Sequence, residues 1–509
     1  MTQDSFESAG TDLFSPRDTA REGQGMIRRA IGWSALILAL TLAGTAPALA
    51  RASDPRADRV DALVRRAMAD RRIPGLQIAV VQDGRIVLAR DYGLANLQTP
   101  VPVTDQTVFS INSTTKAFTG VAAMREVEAG RLDLAKPVSA YLDGLPEAWR
   151  GVTIGQLLSH TSGLPDFTRM KVPDEDEAAA WNAALARPVN FPPGERFEYC
   201  QTNYALIQKV INGLNGRPEN ATLAQAQFHL VGMGHTGFGD SRDVIPGKAA
   251  SYRYAFAKPT DPGQLRSVYE VFTPLHRAAS GMNSTATDMA GWMIAVLDGR
   301  LLGPSARKTL WTPVAYNDGR LGQWGMGWTV LNRPEHRAVG MTGGGRAAMF
   351  VYPEDGVGVV ILTNLSGGAP EDLVDEVAAA FIPGMKLTGV AALRAGLEAR
   401  GFDTLPTVVA ELRRQDPGFK PEEGELNDWG YRLLTTGKPQ AALSVLKLGA
   451  ELYPASGNAF DSLAEAYAVN GDRVRAIENY RRSLQLDPKN TNATRRLETL
   501  EAPANPSPG

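Results

Sequence analysis

Apolar residues recur along this chain in two rhythms. From Leu76 to Val81 and from Arg85 to Tyr92 they alternate or run on, around the dipeptide Asp83-Gly84. A period of two marks strands, and Asp-Gly between two such runs predicts a β-hairpin. A second strand pair is predicted at Ala347 to Tyr352 and Gly358 to Thr363, joined by Pro353-Glu354-Asp355-Gly356. Arg59 to Arg71 reads as helix, and the middle of the chain holds Ala- and Leu-rich helical stretches broken by turn residues. Strands at both ends with helices between them predict an α+β fold over residues 54–385. This is one antiparallel sheet flanked by helices, with a helical insertion. The mouth between sheet and insertion is the expected cleft.

Past a connector at residues 386–421 the pattern changes. Gly430, Gly437, Ala442, Leu446 and Pro454 recur 34 residues later as Ala464, Gly471, Ala476, Tyr480 and Pro488. That period is the tetratricopeptide spacing, which predicts two all-α repeats over residues 422–492. Two copies are fewer than a free-standing array needs, so a helix at about Thr407 to Arg414 is expected to cap them. Residues 493–509 end in a Pro-rich tail that reads as disordered.

Composition narrows the picture. The 509 residues are 43% hydrophobic and 21% charged, values of a globular chain of several domains. With 53 basic and 55 acidic residues, the net charge of -2 gives no reason to expect nucleic acid as a partner. The single cysteine, Cys200, rules out an intramolecular disulfide. The five histidines show no helical zinc spacing and no CxxC occurs, so neither a metal nor another cofactor is expected. Near the start, Arg28-Arg29, an apolar run from Ala30 to about Gly44 and Ala48-Leu49-Ala50 have the order of a signal peptide. Residues 1–50 therefore read as a disordered start plus an export signal, and the mature chain as periplasmic or secreted. If the segment stays uncleaved, residues 27–44 would anchor it to a membrane.

Three short stretches carry chemistry. Ser113-Thr114-Thr115-Lys116 opens a helix that runs to about Gly130. At i and i+3 the serine and lysine share a face. The helix N-terminus favours a developing alkoxide, and burial strips the lysine of its proton, so the pair supplies nucleophile and base. Alone, the motif also fits an N-cap serine and a solvated lysine. Tyr199-Cys200-Gln201 follows Pro192-Pro193-Gly194 and opens another helix. Tyr199 there is a second proton shuttle or a core aromatic. Gly340-Met341-Thr342-Gly343-Gly344-Gly345 precedes the late strand pair. Glycine lets backbone N–H groups approach a substrate, as an oxyanion hole requires, or simply makes a turn.

Taken in order, these stretches resemble the serine beta-lactamase-related family: class C beta-lactamases, D,D-carboxypeptidases, D-aminopeptidases and related esterases. SxxK is matched at Ser113–Lys116, YxN at Tyr199–Gln201 and the KTG or HTG box at Met341–Gly343. Thr153 to Pro165, with Ser159-His160-Thr161-Ser162-Gly163, and Ala279 to Met289 look like further family signatures. The resemblance implies a serine hydrolase in which Ser113 is acylated by an ester, amide or lactam. Lys116 and Tyr199 would move protons. The N–H groups of Ser113 and Gly344 would hold the oxyanion, with Gln201, Thr342 and Gly343 against the substrate. It also implies a structural role for His160. No GxSxG is present, which argues against an α/β-hydrolase triad.

Two positions depart from the family pattern. Gln201 stands where YxN has asparagine, and Met341 where the third box has lysine or histidine. Methionine offers no charge and no donor. Beta-lactam or D,D-peptide cleavage is therefore harder to support than hydrolysis of an ester or small amide, unless Arg346 restores the lost charge. Cys200 reads as a packing residue. Two other readings compete. One is a non-catalytic binding protein using the old cleft. The other is an interaction protein working through its repeats with a protein partner.

Overall fold

The computed structural model describes residues 54–501, apart from 174–175, 218–224, 257–262, 332 and 334. The expected export signal and residues 502–509 lie outside the described residues, whereas residues 493–501, expected as part of a disordered tail, are helical. Asp54 caps the first helix, α1 (Pro55–Arg71), by accepting from the Arg56 N–H. This helix buries Val60, Leu63, Val64 and Ala67 at i, i+3, i+4 and i+7 spacing. The hairpin β1 (Gly75–Gln82) and β2 (Arg85–Asn96) follows. Asp83 and Gly84 both take positive φ, 49° and 72°, the requirement of a tight hairpin turn whose twist matches the strands. A two-residue strand, β3 (Val101–Pro102), pairs with the far edge of β2.

Helices α2 (Thr115–Glu128), α3 (Gln201–Leu214) and α4 (Ala286–Leu297) belong to the middle of the chain. The chain then returns to the sheet as β4 (Thr329–Leu331), β5 (Ala338–Gly343), β6 (Ala347–Tyr352) and β7 (Val357–Thr363). The sheet order is β3-β2-β1-β7-β6-β5-β4, every neighbour antiparallel. The early hairpin and the late strands thus join along β1 and β7, from Leu76 opposite Thr363 to Gln82 opposite Val357. This is the predicted α+β fold.

Each sheet face is covered. Ala79, Val81, Met341, Met349, Val360 and Leu362 pack with Phe118, Val121 and Trp292 of α2 and α4. Leu76, Ile78, Val80, Phe350, Val359 and Ile361 pack with α1 and with α5 (Val374–Phe381). Double-sided burial explains why β1, β6 and β7 are continuous apolar runs rather than alternating ones.

The C-terminal part is helical: α6 (Gly389–Arg400), α7 (Leu405–Gln415), α8 (Glu423–Thr435), α9 (Pro439–Leu452), α10 (Gly457–Val469), α11 (Arg473–Leu486) and α12 (Thr491–Glu501). The pair α8–α9 recurs as α10–α11 after 34 residues. Leu393, Leu397, Val408 and Val409 of α6 and α7 share one core with Trp429, Leu433 and Val445 of the first pair. Buried Asp372, just before α5, binds Arg394 of α6 at 2.9 Å and Arg432 of α8 at 2.8 Å, with Arg71 of α1 at 3.7 Å. These charges fasten the helical segment to the sheet. Among the described residues, no helix is long and apolar enough to cross a membrane.

Candidate active site

The site lies where the start of α2, the start of α3 and the end of β5 meet. Ser113 sits in a single 3₁₀ turn, Asn112–Thr114, that runs straight into α2. Asn112 holds φ at 45°, so the chain turns sharply just before the serine. That turn is anchored on one side by Ile111 N–H donating to Met282 O at 3.0 Å. On the other side it is pressed against β5. A Cβ on Gly343 would lie 1.9 Å from Ile111 O, so only glycine lets the strand come this close. Gly344, at φ 57°, lies against the Asn112 side chain. Its N–H has no backbone acceptor among the described residues. The fold therefore brings the Ser113 loop and the Gly343-Gly344 backbone together. Strand β4 pairs only with Ala338–Gly340, which leaves the outer edge of Met341–Gly343 open among the described residues.

Lys116 is wholly buried. Its Nζ donates to Gln201 Oε1 and to Ala279 O, both at 2.8 Å. Both acceptors are neutral. Burial disfavours the cation and pulls the lysine from 10.5 down to about 7, with Asp166 and then Cys200 opposing the fall. The nitrogen lies 4.6 Å from the Tyr199 ring centroid and 5.2 Å from that of Tyr204. Gln201 thus keeps an acceptor role toward the lysine despite standing where the motif has asparagine.

Tyr199 stands two places before the first residue of α3. Its hydroxyl is buried and makes no well-formed hydrogen bond. Burial pushes its proton affinity well up, while the nearby Ser113 hydroxyl pulls the other way. A buried polar atom without a partner costs free energy, and such atoms gather where a ligand completes the set. Behind the tyrosine stands His160, its ring 4.4 Å from the Tyr199 ring and 5.1 Å from Trp324. His160 Nδ1 accepts from the Cys200 N–H at 3.1 Å and faces Asn203 Nδ2 at 3.2 Å. Burial, then the nearby lysine, hold the imidazole neutral. With Nδ1 engaged as an acceptor, His160 positions the Tyr199 loop and takes no proton. Cys200 is buried, its thiol pushed up to about 12 by burial, and its Sγ donates to Leu164 O at 3.4 Å.

One expectation is corrected. Arg346 does not restore a charge to the third box. It is 4% exposed and its guanidinium grips Glu270 through two hydrogen bonds, of 2.9 and 3.1 Å, so its charge is cancelled internally. Thr342, expected against the substrate, follows Met341 on β5. Strand alternation buries Met341 in the core with α2 and turns Thr342 to the opposite face, where it lines a cavity with Leu331, Arg333 and Phe350. Two contributors lay outside the three catalytic motifs: the Ala279 carbonyl, a backbone group at the start of a further family signature, and Asp166. The Asp166 carboxylate accepts from the Gln201 N–H at 3.1 Å. No cluster of three or more His, Cys, Asp or Glu that could hold a metal occurs among the described residues.

Comparison with known proteins identifies the family. The beta-lactamase family profile matches residues 60–382. The chain is 23% identical to Protein flp of Staphylococcus aureus over 361 residues, 67% of this chain and 70% of that protein. It is 25% identical to penicillin-binding protein 4* of Bacillus subtilis over 308 residues, 56% of this chain and 67% of that protein. Among solved structures, the octameric penicillin-binding protein homologue from Pyrococcus abyssi superposes with a TM-score of 0.53 at 26% identity. That match covers 62% of this chain and 75% of the homologue. The chain belongs to the beta-lactamase family, and its fold is similar to that of this penicillin-binding protein homologue.

Proposed function

We propose that this protein is a serine hydrolase that cleaves an ester or small amide through an acyl-Ser113 intermediate. The observation that carries the reading is Lys116. A lysine wholly buried, held by two neutral carbonyl oxygens and pulled down to about 7, is available as a neutral base near physiological pH. In this scheme the neutral Nζ takes the Ser113 proton as Oγ attacks the carbonyl carbon. The oxyanion forms against the N–H groups of Ser113 and Gly344. The proton passes through the Tyr199 hydroxyl to the leaving group, whose bond to the carbonyl then breaks. Water enters by the same relay in reverse and releases the acid from Ser113.

The substrate class follows from what stands near the third box. Met341 is apolar and buried, and Arg346 is occupied by Glu270. Neither offers a free cation to a substrate carboxylate. This favours substrates uncharged beside the scissile bond over beta-lactams and D,D-peptides.

The test is a comparison of wild type with Ser113→Ala. A fluorophosphonate probe should label only the wild type. Turnover should be strongest on p-nitrophenyl esters and weak on a chromogenic cephalosporin and on D-amino-acid amides. A wild type that neither labels nor hydrolyses an ester sinks the enzymatic reading and leaves the cleft as a binding site. Export and a protein partner for the C-terminal helix pairs are separate proposals. Cell fractionation tests the first. In-cell cross-linking of the full chain tests the second, and the absence of any cross-link through α8–α12 would count against it.

A further inference from the structure

One carboxylate reaches both halves of the proton relay without belonging to any of the three motifs. Asp166 is 8% exposed and caps the short turn Phe167–Arg169. Its Oδ1 accepts from the Thr168 N–H at 2.9 Å and the Thr168 hydroxyl at 2.8 Å. Its Oδ2 accepts from the Gln201 N–H at 3.1 Å. All three partners are donors, the set an ionised carboxylate takes. Gln201 in turn accepts from Lys116 Nζ at 2.8 Å. The residue that holds the lysine through its side chain is therefore held by Asp166 through its backbone. Gln201 is also the first residue of α3, two places after Tyr199.

We propose that Asp166 is a positioning residue for acyl transfer, which fixes the first turn of α3 and sets by its charge the pH range in which the Lys116–Tyr199 relay works. The proposal rests on the hydrolase reading above. Its geometric half is the chain Asp166–Gln201–Lys116. Its electrostatic half follows from the surroundings of the lysine. The groups facing it are Tyr199, Cys200 and Tyr204 at the start of α3, His160 and Asp166 in the segment before it, and His276 near the Ala279 turn. Both histidines are held neutral by burial, His276 down to about 3, and the Cys200 thiol stays protonated. Glu270, beside Asn112, is paired with Arg346. Asp166 remains as the anion that acts on this group. Its charge favours the protonated lysine and disfavours ionised Tyr199.

Asp166→Asn keeps the shape and removes the charge. Both limbs of the kcat/KM profile on a p-nitrophenyl ester should then move to lower pH, by about one unit, the effect of a nearby opposite or like charge. Asp166→Glu should lower kcat by misplacing α3 yet leave the limbs where they are. Loss of rate with unmoved limbs in Asp166→Asn, or limbs moved down in Asp166→Glu, overturns the proposal. If Asp166→Asn does not fold, the Asp166→Glu profile decides alone. Fluorophosphonate labelling of Ser113 in the wild type separates the two readings. No labelling defeats the hydrolase itself, whereas labelling with an unmoved Asp166→Asn profile defeats only this role.

Discussion

Replacing Lys116 with methionine should cost the protein its activity and make its stability relative to wild type depend on pH. In the unfolded chain a lysine keeps its proton up to about 10.5, but in the fold it holds it only to about 7. Folding at neutral pH therefore strips or strains a proton that the unfolded chain would keep. At about 1.4 kcal/mol per pKa unit, the gap opposes folding by about 5 kcal/mol below pH 7. The sign is set by the lowered folded value. The penalty is complete below about 7, shrinks as pH rises, and is gone above 10.5. Linkage then gives about 4 kcal/mol at pH 7 and about 2 kcal/mol at pH 9. Methionine of similar volume escapes this penalty but leaves Gln201 Oε1 and Ala279 O without their donor, at about 1–3 kcal/mol each. That loss does not depend on pH. The decisive quantity is thus the change between pH values. Urea unfolding of both proteins should show the variant's stability relative to wild type falling by about 2 kcal/mol from pH 7 to pH 9. A difference that stays flat across that range would refute the claim that the lysine is held neutral by burial. The same titration sets the acid limb of kcat/KM near 7 in the wild type, since only the neutral amine can accept the serine proton.

Two further outcomes test the site's construction. Tyr199→Phe removes a hydroxyl that has no hydrogen-bond partner in the resting site. Thermal denaturation should show no loss of stability, while kcat/KM falls by about 10²–10⁴, the usual weight of a positioned proton carrier. Gly343→Ala would set a Cβ 1.9 Å from Ile111 O. It should cost about 1–3 kcal/mol by overpacking and slow the labelling of Ser113, and an unchanged Tm with unchanged labelling would contradict the close approach of β5 to the nucleophile loop.

Much of the architecture was legible because its signals are local. Asp83-Gly84 marked a hairpin, and the apolar runs around it marked buried strands. The join of β1 to β7 was not legible. It pairs residues some 280 positions apart, and nothing in either run names its partner. In the site, residue types with rare chemistry stood out: Ser113, Lys116, Tyr199. Groups that act through ordinary roles did not. The Ala279 residue stood in a recognised stretch, but its backbone oxygen has no side-chain chemistry to announce its role. Asp166 follows Leu164-Pro165, where an aspartate reads as a plain turn former, and its second task depends on α3 docking from 35 residues away. The Arg346 guess failed for the same reason. Its partner Glu270 is 76 positions upstream, and a charge in sequence is not a free charge in space.

The two departures from the family pattern prove unequal once distances are known. At Gln201 the task is to offer a carbonyl oxygen to Lys116, and any side-chain amide with enough reach does that. The glutamine does so at 2.8 Å, with its own backbone held by Asp166. At Met341 the missing task is to present a cation or a donor, and Arg346 does not take it over. The strand buries the methionine in the core and leaves Arg346 bound to Glu270. A substitution that keeps an acceptor preserves a relay, because acceptors are interchangeable at fixed geometry. A substitution that deletes a charge changes what can bind, because charge in a half-buried cleft has no substitute. On the proposed reading, the reaction machinery and the substrate reader are separable in this chain, and the departure at Met341 falls on the second.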